Sequence, residues 1–200
     1  MGPLKKRLPA EVRKKQILKC AVRVFAESNY RSAKVADIAA AAGISEAMVY
    51  KYFPTKKSIF LHILEHMSAR IITFWQEELE KAPDALIALR NMGFAYYERM
   101  KKHPNELKVQ FQAISEIDDE DIAKRLRKDH LSYISFIRSV LKQGIQQGTI
   151  RTDINTYMMA LLFNGAGIVL NMMKLLSFDK SFVDDDLEEL MGKYIENIKA

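Results

Sequence analysis

Apolar residues recur at helical spacing along nearly the whole chain, and the breaks between the runs are short. Ile17, Ala21, Val24 and Phe25 stand at i, i+4, i+7 and i+8, the stripe of a core-facing helix. That helix is expected to open near Pro9, since proline is tolerated in a first turn, and to stop at Asn29, whose side chain tolerates a left-handed backbone. Val35, Ile38, Ala39 and Ala42 repeat the pattern, and the four alanines Ala39 to Ala42 let another helix cross closely. Gly43 supplies a turn and Ser45 an N-cap. The helix that follows, Glu46 to Tyr52, is too short to stand alone, so Ile44, Val49 and Phe53 must anchor it. Thr55 caps a fourth helix, expected to run from Lys56 to about Glu80.

The remainder reads as further amphipathic helices, punctuated by Pro54, Pro83 and Pro104. Gly144 and Gly148 bracket an expected turn after Leu141, and Asp153 is the expected cap of the next helix. Acidic residues lead into two helices, one from Asp121 to Gln147 and a last one from Leu187 to Ile198, where Asp184 to Asp186 stand ahead. Acidic side chains favour helix N-termini. Between those two helices, Ala160 to Leu176 is nearly apolar throughout. Its glycines cost helix stability, up to about 1 kcal/mol each, unless another helix packs closely. Short and interrupted for a membrane span, it is expected to form a dimer interface beside the final helix. The fold expected is all-α, with an N-terminal three-helix domain over residues 1–57 and a C-terminal helical domain over 58–200. The fourth helix serves as a lever between them.

Composition adds little to this until charge is divided along the chain. Residues 1–57 carry 13 Lys and Arg against 4 Asp and Glu, whereas the other 143 carry 18 against 21. A balance of +9 beside −3 points to a polyanion as the partner of the N-terminal part. Lys5, Lys6 and Arg7 are not followed by an apolar stretch, so a signal peptide is not expected. The single cysteine, Cys20, excludes an intrachain disulfide and fits a reducing cytoplasm.

Helix, glycine turn and second helix form the arrangement that lays a recognition helix in the major groove of DNA. Glu46, Ala47, Tyr50 and Lys51 face outward on that helix. Small residues at its start let the backbone approach base edges, so Glu46 and Ala47, with Lys34, are expected to read bases. Tyr50, Lys51, Tyr52 and Lys56 are expected to hold phosphates, which set register and affinity, with Ser45 at the helix start. Lys56 and Lys57 occupy the first turn of the fourth helix, where cations oppose the helix dipole. An anion docked at that terminus would reverse the sign of the effect.

Over residues 11–64 the chain resembles the DNA-binding domain of the TetR family of transcriptional regulators. The resemblance rests on Val24 to Tyr30, Val35 to Ser45, and Val49 to Phe60, ending in the ordered set Tyr50, Tyr52, Phe53 and Lys56. Asn29 stands where glycine is commonest in the family. Ala33 and Lys34 replace the usual hydroxyl residues, with Ser32 or Lys34 left to meet the phosphate. The resemblance implies a homodimer on a roughly palindromic double-stranded operator. It also implies a repressor that a small molecule in the C-terminal domain releases from DNA.

For that molecule, Trp75, Phe94, Tyr97, Met100, Phe111, Tyr133, Phe136 and Phe163 are the candidate lining, since aromatics and methionine build adaptable apolar pockets. They favour a hydrophobic or aromatic effector. His62 and His66, four apart around Glu65, have helical metal-ligand spacing but no third ligand, so no metal is expected. The acidic run Glu116, Asp118, Asp119, Glu120, Asp121 lacks the glycine and final glutamate of a calcium loop. No phosphate-binding loop, dinucleotide fingerprint or nucleophile elbow occurs, so neither a cofactor nor an enzyme is expected. The alternative reading is a helical small-molecule-binding protein whose basic head takes another anion and has no role in transcription.

Overall fold

The computed structural model describes residues 9–178 and 184–200. Lys5, Lys6 and Arg7, and the side chains of Asp184 and Asp185, lie outside the described set. The described residues form α1 (Ala10–Ser32), α2 (Val35–Ala42), α3 (Glu46–Tyr52), α4 (Lys56–Lys81), α5 (Ala85–Lys102), α6 (Pro104–Ile114), α7 (Glu120–Gln146), α8 (Thr156–Leu175) and α9 (Asp184–Ile198).

The local signals of the first four helices act as expected, except that Asn29 kinks α1 without ending it. Pro9 precedes α1, and Asn29 takes φ 63°, with its Oδ1 accepting the amide of Ser32 at 3.0 Å. Helical hydrogen bonding resumes past this kink, so α1 runs on to Ser32 rather than stopping. Gly43 sits at φ 64° with open space around its Cα; the left-handed backbone, not crowding, is what requires glycine there. Ser45 Oγ accepts the Met48 amide at 3.2 Å, and Thr55 and Ser58 cap α4 reciprocally.

Two cores result. Ile17, Phe25, Ile38, Val49, Phe53 and Phe60, all at most 1% exposed, knit α1–α3 to the start of α4. Val109 and Ala113 of α6 and Ile122 of α7 join the same cluster. The second core lies where α4, α5, α7, α8 and α9 meet, around Leu89, Met92, Ile137 and Leu141. α4 crosses both.

Three further expectations are corrected. Gly144 is not in a turn: α7 continues through it, and only Gly148, at φ 73°, turns the chain. A Cβ on Gly144 would stand 2.4 Å from Ile150 Cδ1 and 2.9 Å from Ala85 Cβ. Glycine is kept here by close packing. Gly144→Ala is therefore expected to destabilise by about 1–3 kcal/mol, seen as a lower urea midpoint at unchanged slope. A higher midpoint would mean that the site relaxes and helix propensity wins. Asp153 does not cap α8 but pairs with Arg151 at 2.6 Å, while Asn155 accepts the amides of Tyr157 and Met158. Finally, α8 is unbroken over 20 residues, and by length and composition it could cross a membrane; only 22% of its apolar window is buried.

Candidate nucleic-acid interface and apolar cavity

The surface of α3 is built by burying its other side. Val49 and Phe53 are 0% and 1% exposed, which turns Glu46, Ala47, Met48, Tyr50 and Lys51 to solvent. Tyr50 is 47% exposed, far more than a packing role needs. Tyr52 is half-buried against the head core. Lys34 is exposed beside the α2 terminus, where its amide donates to Asp37 Oδ2 at 3.1 Å. Ser45 is exposed and spends its hydroxyl on the α3 cap. Lys34, Ser45, Glu46, Ala47, Tyr50 and Lys51 are thus all exposed, and so is Met48 of α3, which the sequence pattern did not single out.

Lys56 and Lys57 have partners that the sequence did not reveal. Lys56 Nζ donates to the carbonyls of Arg31 and Ala33, both at 3.0 Å, and lies 4.9 Å from the centre of the Tyr30 ring. It ties the end of α1 to the start of α4. Lys57 Nζ reaches Asp121 at 2.6 Å and Asp119 at 3.1 Å. The hydrogen bonds it donates to Asp121 and Asp119 raise its ammonium above the ordinary lysine range, and Lys57 holds the Asp119 carboxyl below its own. Arg31 Nε meets both oxygens of Glu116 at 2.9 and 3.0 Å. The acidic run that leads into α7 therefore grips the head through Arg31 and Lys57. His62 is spent on the Ser58 carbonyl at 2.7 Å, and no cluster of three or more metal-ligating side chains occurs among the described residues.

In the second core lies a cavity of about 320 Å³. Ile71 and Trp75 of α4, Tyr96 of α5, Tyr133 of α7, Phe163 and Asn171 of α8, and Tyr194 of α9 contribute to its wall. Trp75 meets Tyr133 and Phe163 edge-on, with ring centres 5.7 and 6.2 Å apart. Asn171 Nδ2 donates to the Tyr96 hydroxyl at 2.7 Å, while Asn171 Oδ1 and Trp75 Nε1 are buried without partners among the described residues. Burial raises the phenols of Tyr96, Tyr133 and Tyr194 and lowers the imidazole of His130, which also lines the wall. Among the described residues, no Asp or Glu lines the wall.

Of the residues chosen from sequence, Trp75, Tyr133 and Phe163 line this cavity. Phe136 stacks on Trp75 at 6.0 Å but is not part of the wall, and Met100 lines a neighbouring constriction. Phe94 carries Arg90 over its ring, Tyr97 is buried beside Lys101, and Phe111 is half-buried; none of the three reaches the cavity. Choosing by aromatics and methionines misses Asn171, Gln110 and His130. Asn171 had a signal: with Asn164 and Lys174 it is one of three polar side chains in a long apolar run.

A short recognition helix with one buried side, set behind a glycine turn on a basic three-helix head, defines a helix-turn-helix DNA-binding regulator. The family model of bacterial regulatory proteins, tetR family, matches residues 17–63, the three-helix head and the start of α4. The fatty acid metabolism regulator protein of Bacillus subtilis is 23% identical over 140 residues, 70% of this chain and 72% of its own length. A transcriptional repressor of Rhodococcus jostii, KstR2, is 24% identical over 143 residues, 72% and 70% of the two chains. Among solved structures, Bacillus subtilis FadR in complex with stearoyl-CoA superposes with a TM-score of 0.77 at 21% identity, covering 91% of this chain and 95% of FadR. A Saccharomonospora viridis protein in complex with choline gives 0.78 at 24% identity, covering 96% and 100%.

Proposed function

We propose that the protein is a homodimeric repressor that leaves its operator when a small, largely apolar molecule fills the cavity bounded by Trp75, Tyr133 and Phe163. The observation that carries this reading is α4. It begins under the head at Lys56 and forms the cavity wall with Ile71 and Trp75, 19 residues on, about 28 Å of helix at 1.5 Å per residue. A ligand that displaces the far end of a packed helix moves the near end as well. The two heads of a dimer must match major grooves about 34–36 Å apart, so the ligand acts by favouring dimers in which they do not. The relatives' names and the stearoyl-CoA complex of FadR support an apolar effector and a repressor.

On DNA, Tyr50, Lys51 and Tyr52 contact phosphates, and Glu46 and Ala47, with Lys34, meet base edges. Ser45 sets the start of α3, and Lys56 fixes the end of α1 beneath the backbone. The protein works in the cytoplasm, where the DNA is. Dimerisation uses α8, where Met158, Leu162, Gly165, Val169, Met172 and Leu176 follow a spacing of four, three, four, three, four, the seam of a helix pair. The five apolar side chains are 45–58% exposed, and Gly165 faces open space.

The test is binding to DNA upstream of the protein's own gene across a salt series. Lys51→Ala is expected to lower the log–log salt slope by about one for each phosphate that is no longer neutralised. Tyr50→Ala combined with Lys51→Ala should weaken binding to any DNA while the helical signal persists. Parental affinity in that double variant would remove α3 from the interface.

A further inference from the structure

On its inner side the apolar cavity shares wall residues with a second, smaller space. Where Ile71, Tyr96 and Gln110 form its wall, it meets a constriction of about 30 Å³, bounded on the other side by Met67, Arg99, His103 and Glu106. Met67, His103 and Glu106 also border a groove of about 990 Å³ between α1 and the body. Cavity, neck and groove are thus continuous in their walls: apolar at one end, charged at the other.

Charge at the neck is out of balance. Arg70 and Arg99 both turn to Oε2 of Glu106, Arg70 as a close ion pair and Arg99 at 3.5 Å. Two guanidiniums share one carboxylate, with side chains only 32%, 23% and 19% exposed. Arg70 Nε is buried and has no partner among the described residues. Burial and the neighbouring Arg70 lower the Arg99 guanidinium, and the same two causes lower His66 beside them. In the groove beyond, Glu11 pairs with Lys14 and Glu65 with Arg125, while Lys15, Lys19, Arg23 and Lys102 have no ion-pair partner among the described residues. The described wall of the cavity offers no acid to a cationic ligand.

We infer that Arg70 and Arg99 form an anion subsite at the neck, and that the effector is an anionic amphiphile. Its apolar body lies in the cavity and its carboxylate or phosphate on these guanidiniums. Any larger anionic head extends into the groove against Lys15, Lys19 and Lys102. The inference rests on the cavity being the effector site. It also supplies a route to the head, because an anion that competes for Arg70 and Arg99 loosens Glu106 in the first turn of α6. That helix holds α1 through the hydrogen bond from Gln112 Nε2 to the Phe25 carbonyl at 2.9 Å.

Trp75, the sole tryptophan, lies in the cavity wall and reports occupancy. The full-length protein is titrated with dodecanoate, dodecyl phosphate, dodecanol and lauroyl-coenzyme A, following Trp75 emission. Both simple anions are expected to bind about tenfold or more tightly than the alcohol, since hydrogen bonds between charged groups are the strong ones. In Arg70→Gln and in Arg99→Gln that preference should collapse to within about twofold, with Arg99→Lys retaining most of it. Unchanged dodecanol binding shows that each variant is folded. Equal binding of alcohol and anions to the parent, or a preference that survives both glutamine variants, overturns the subsite and leaves the cavity reading intact. No response to any probe overturns both. Tighter binding of lauroyl-coenzyme A than of dodecanoate, lost in Lys15→Ala with Lys102→Ala, assigns the head to the groove; equal affinity confines the anion to the neck.

Discussion

Val169→Asp is expected to yield a folded monomer whose affinity for operator DNA is lower by about two orders of magnitude or more. Val169 lies mid-way along the exposed apolar seam of α8, at 50% exposure, and lines no cavity. In the single chain, aspartate there is solvated and costs little. Across a dimer it would sit in an apolar seam, where an unpaired carboxylate costs several kcal/mol. DNA binding falls with dimerisation because the second head gains an effective concentration only while it is tethered, worth about 10²–10⁴ in apparent affinity. Light scattering after size exclusion gives the mass, and anisotropy gives the affinity. A variant that stays dimeric would place the interface elsewhere.

The second large effect concerns stability. Asp129, 5% exposed on α7, is held by Arg125, whose Nε lies 3.1 Å from each carboxylate oxygen; Arg125 Nη1 reaches Glu65 of α4 at 3.2 Å. The pairing with Asp129 raises the Arg125 guanidinium. Arg125→Met leaves a buried carboxylate unpaired, which costs about 3–5 kcal/mol. For a chain of this length that lowers the melting temperature by roughly 6–20 °C. Arg125→Met with Asp129→Leu should recover most of the loss, because replacing both partners removes the orphan. Thermal unfolding followed by circular dichroism separates the cases. A single variant that melts with the parent would mean that water reaches Asp129.

Where local chemistry decides the structure, the sequence was a good guide. Gly43, Ser45 and Thr55 each act on neighbours within a few residues, and each appears where its side chain or backbone predicts; Asn29 takes the positive φ expected of it but only kinks α1. Gly144 misled because its role is set by Ile150 and Ala85 packing onto it, and Asp153 because Arg151, two residues before it, captures the carboxylate that would have capped α8. Lys56 and Lys57, like Gly144, have roles set by residues far along the chain. Their positions at a helix N-terminus were legible, but the α1 carbonyls and the acidic corner that receive them are 23 to 64 residues away. The cavity was legible as a region but not residue by residue. Which of two adjacent tyrosines, Tyr96 or Tyr97, faces inward depends on how α5 rotates against α8, and no spacing within α5 fixes that.

The ion pairs joining the head to the acidic corner, Arg31 with Glu116 and Lys57 with Asp119 and Asp121, are partly exposed, with Asp121 at 57% and Arg31 at 70%. Salt therefore acts on this protein twice. It displaces Lys51 and its neighbours from phosphates, and it screens the contacts that hold the reading head against the body. A salt titration of operator binding will be steeper than counterion release alone would make it. The excess should vanish when Lys57, Asp119 and Asp121 are neutralised together, which turns the curvature of a routine binding assay into a gauge of how firmly the head is held.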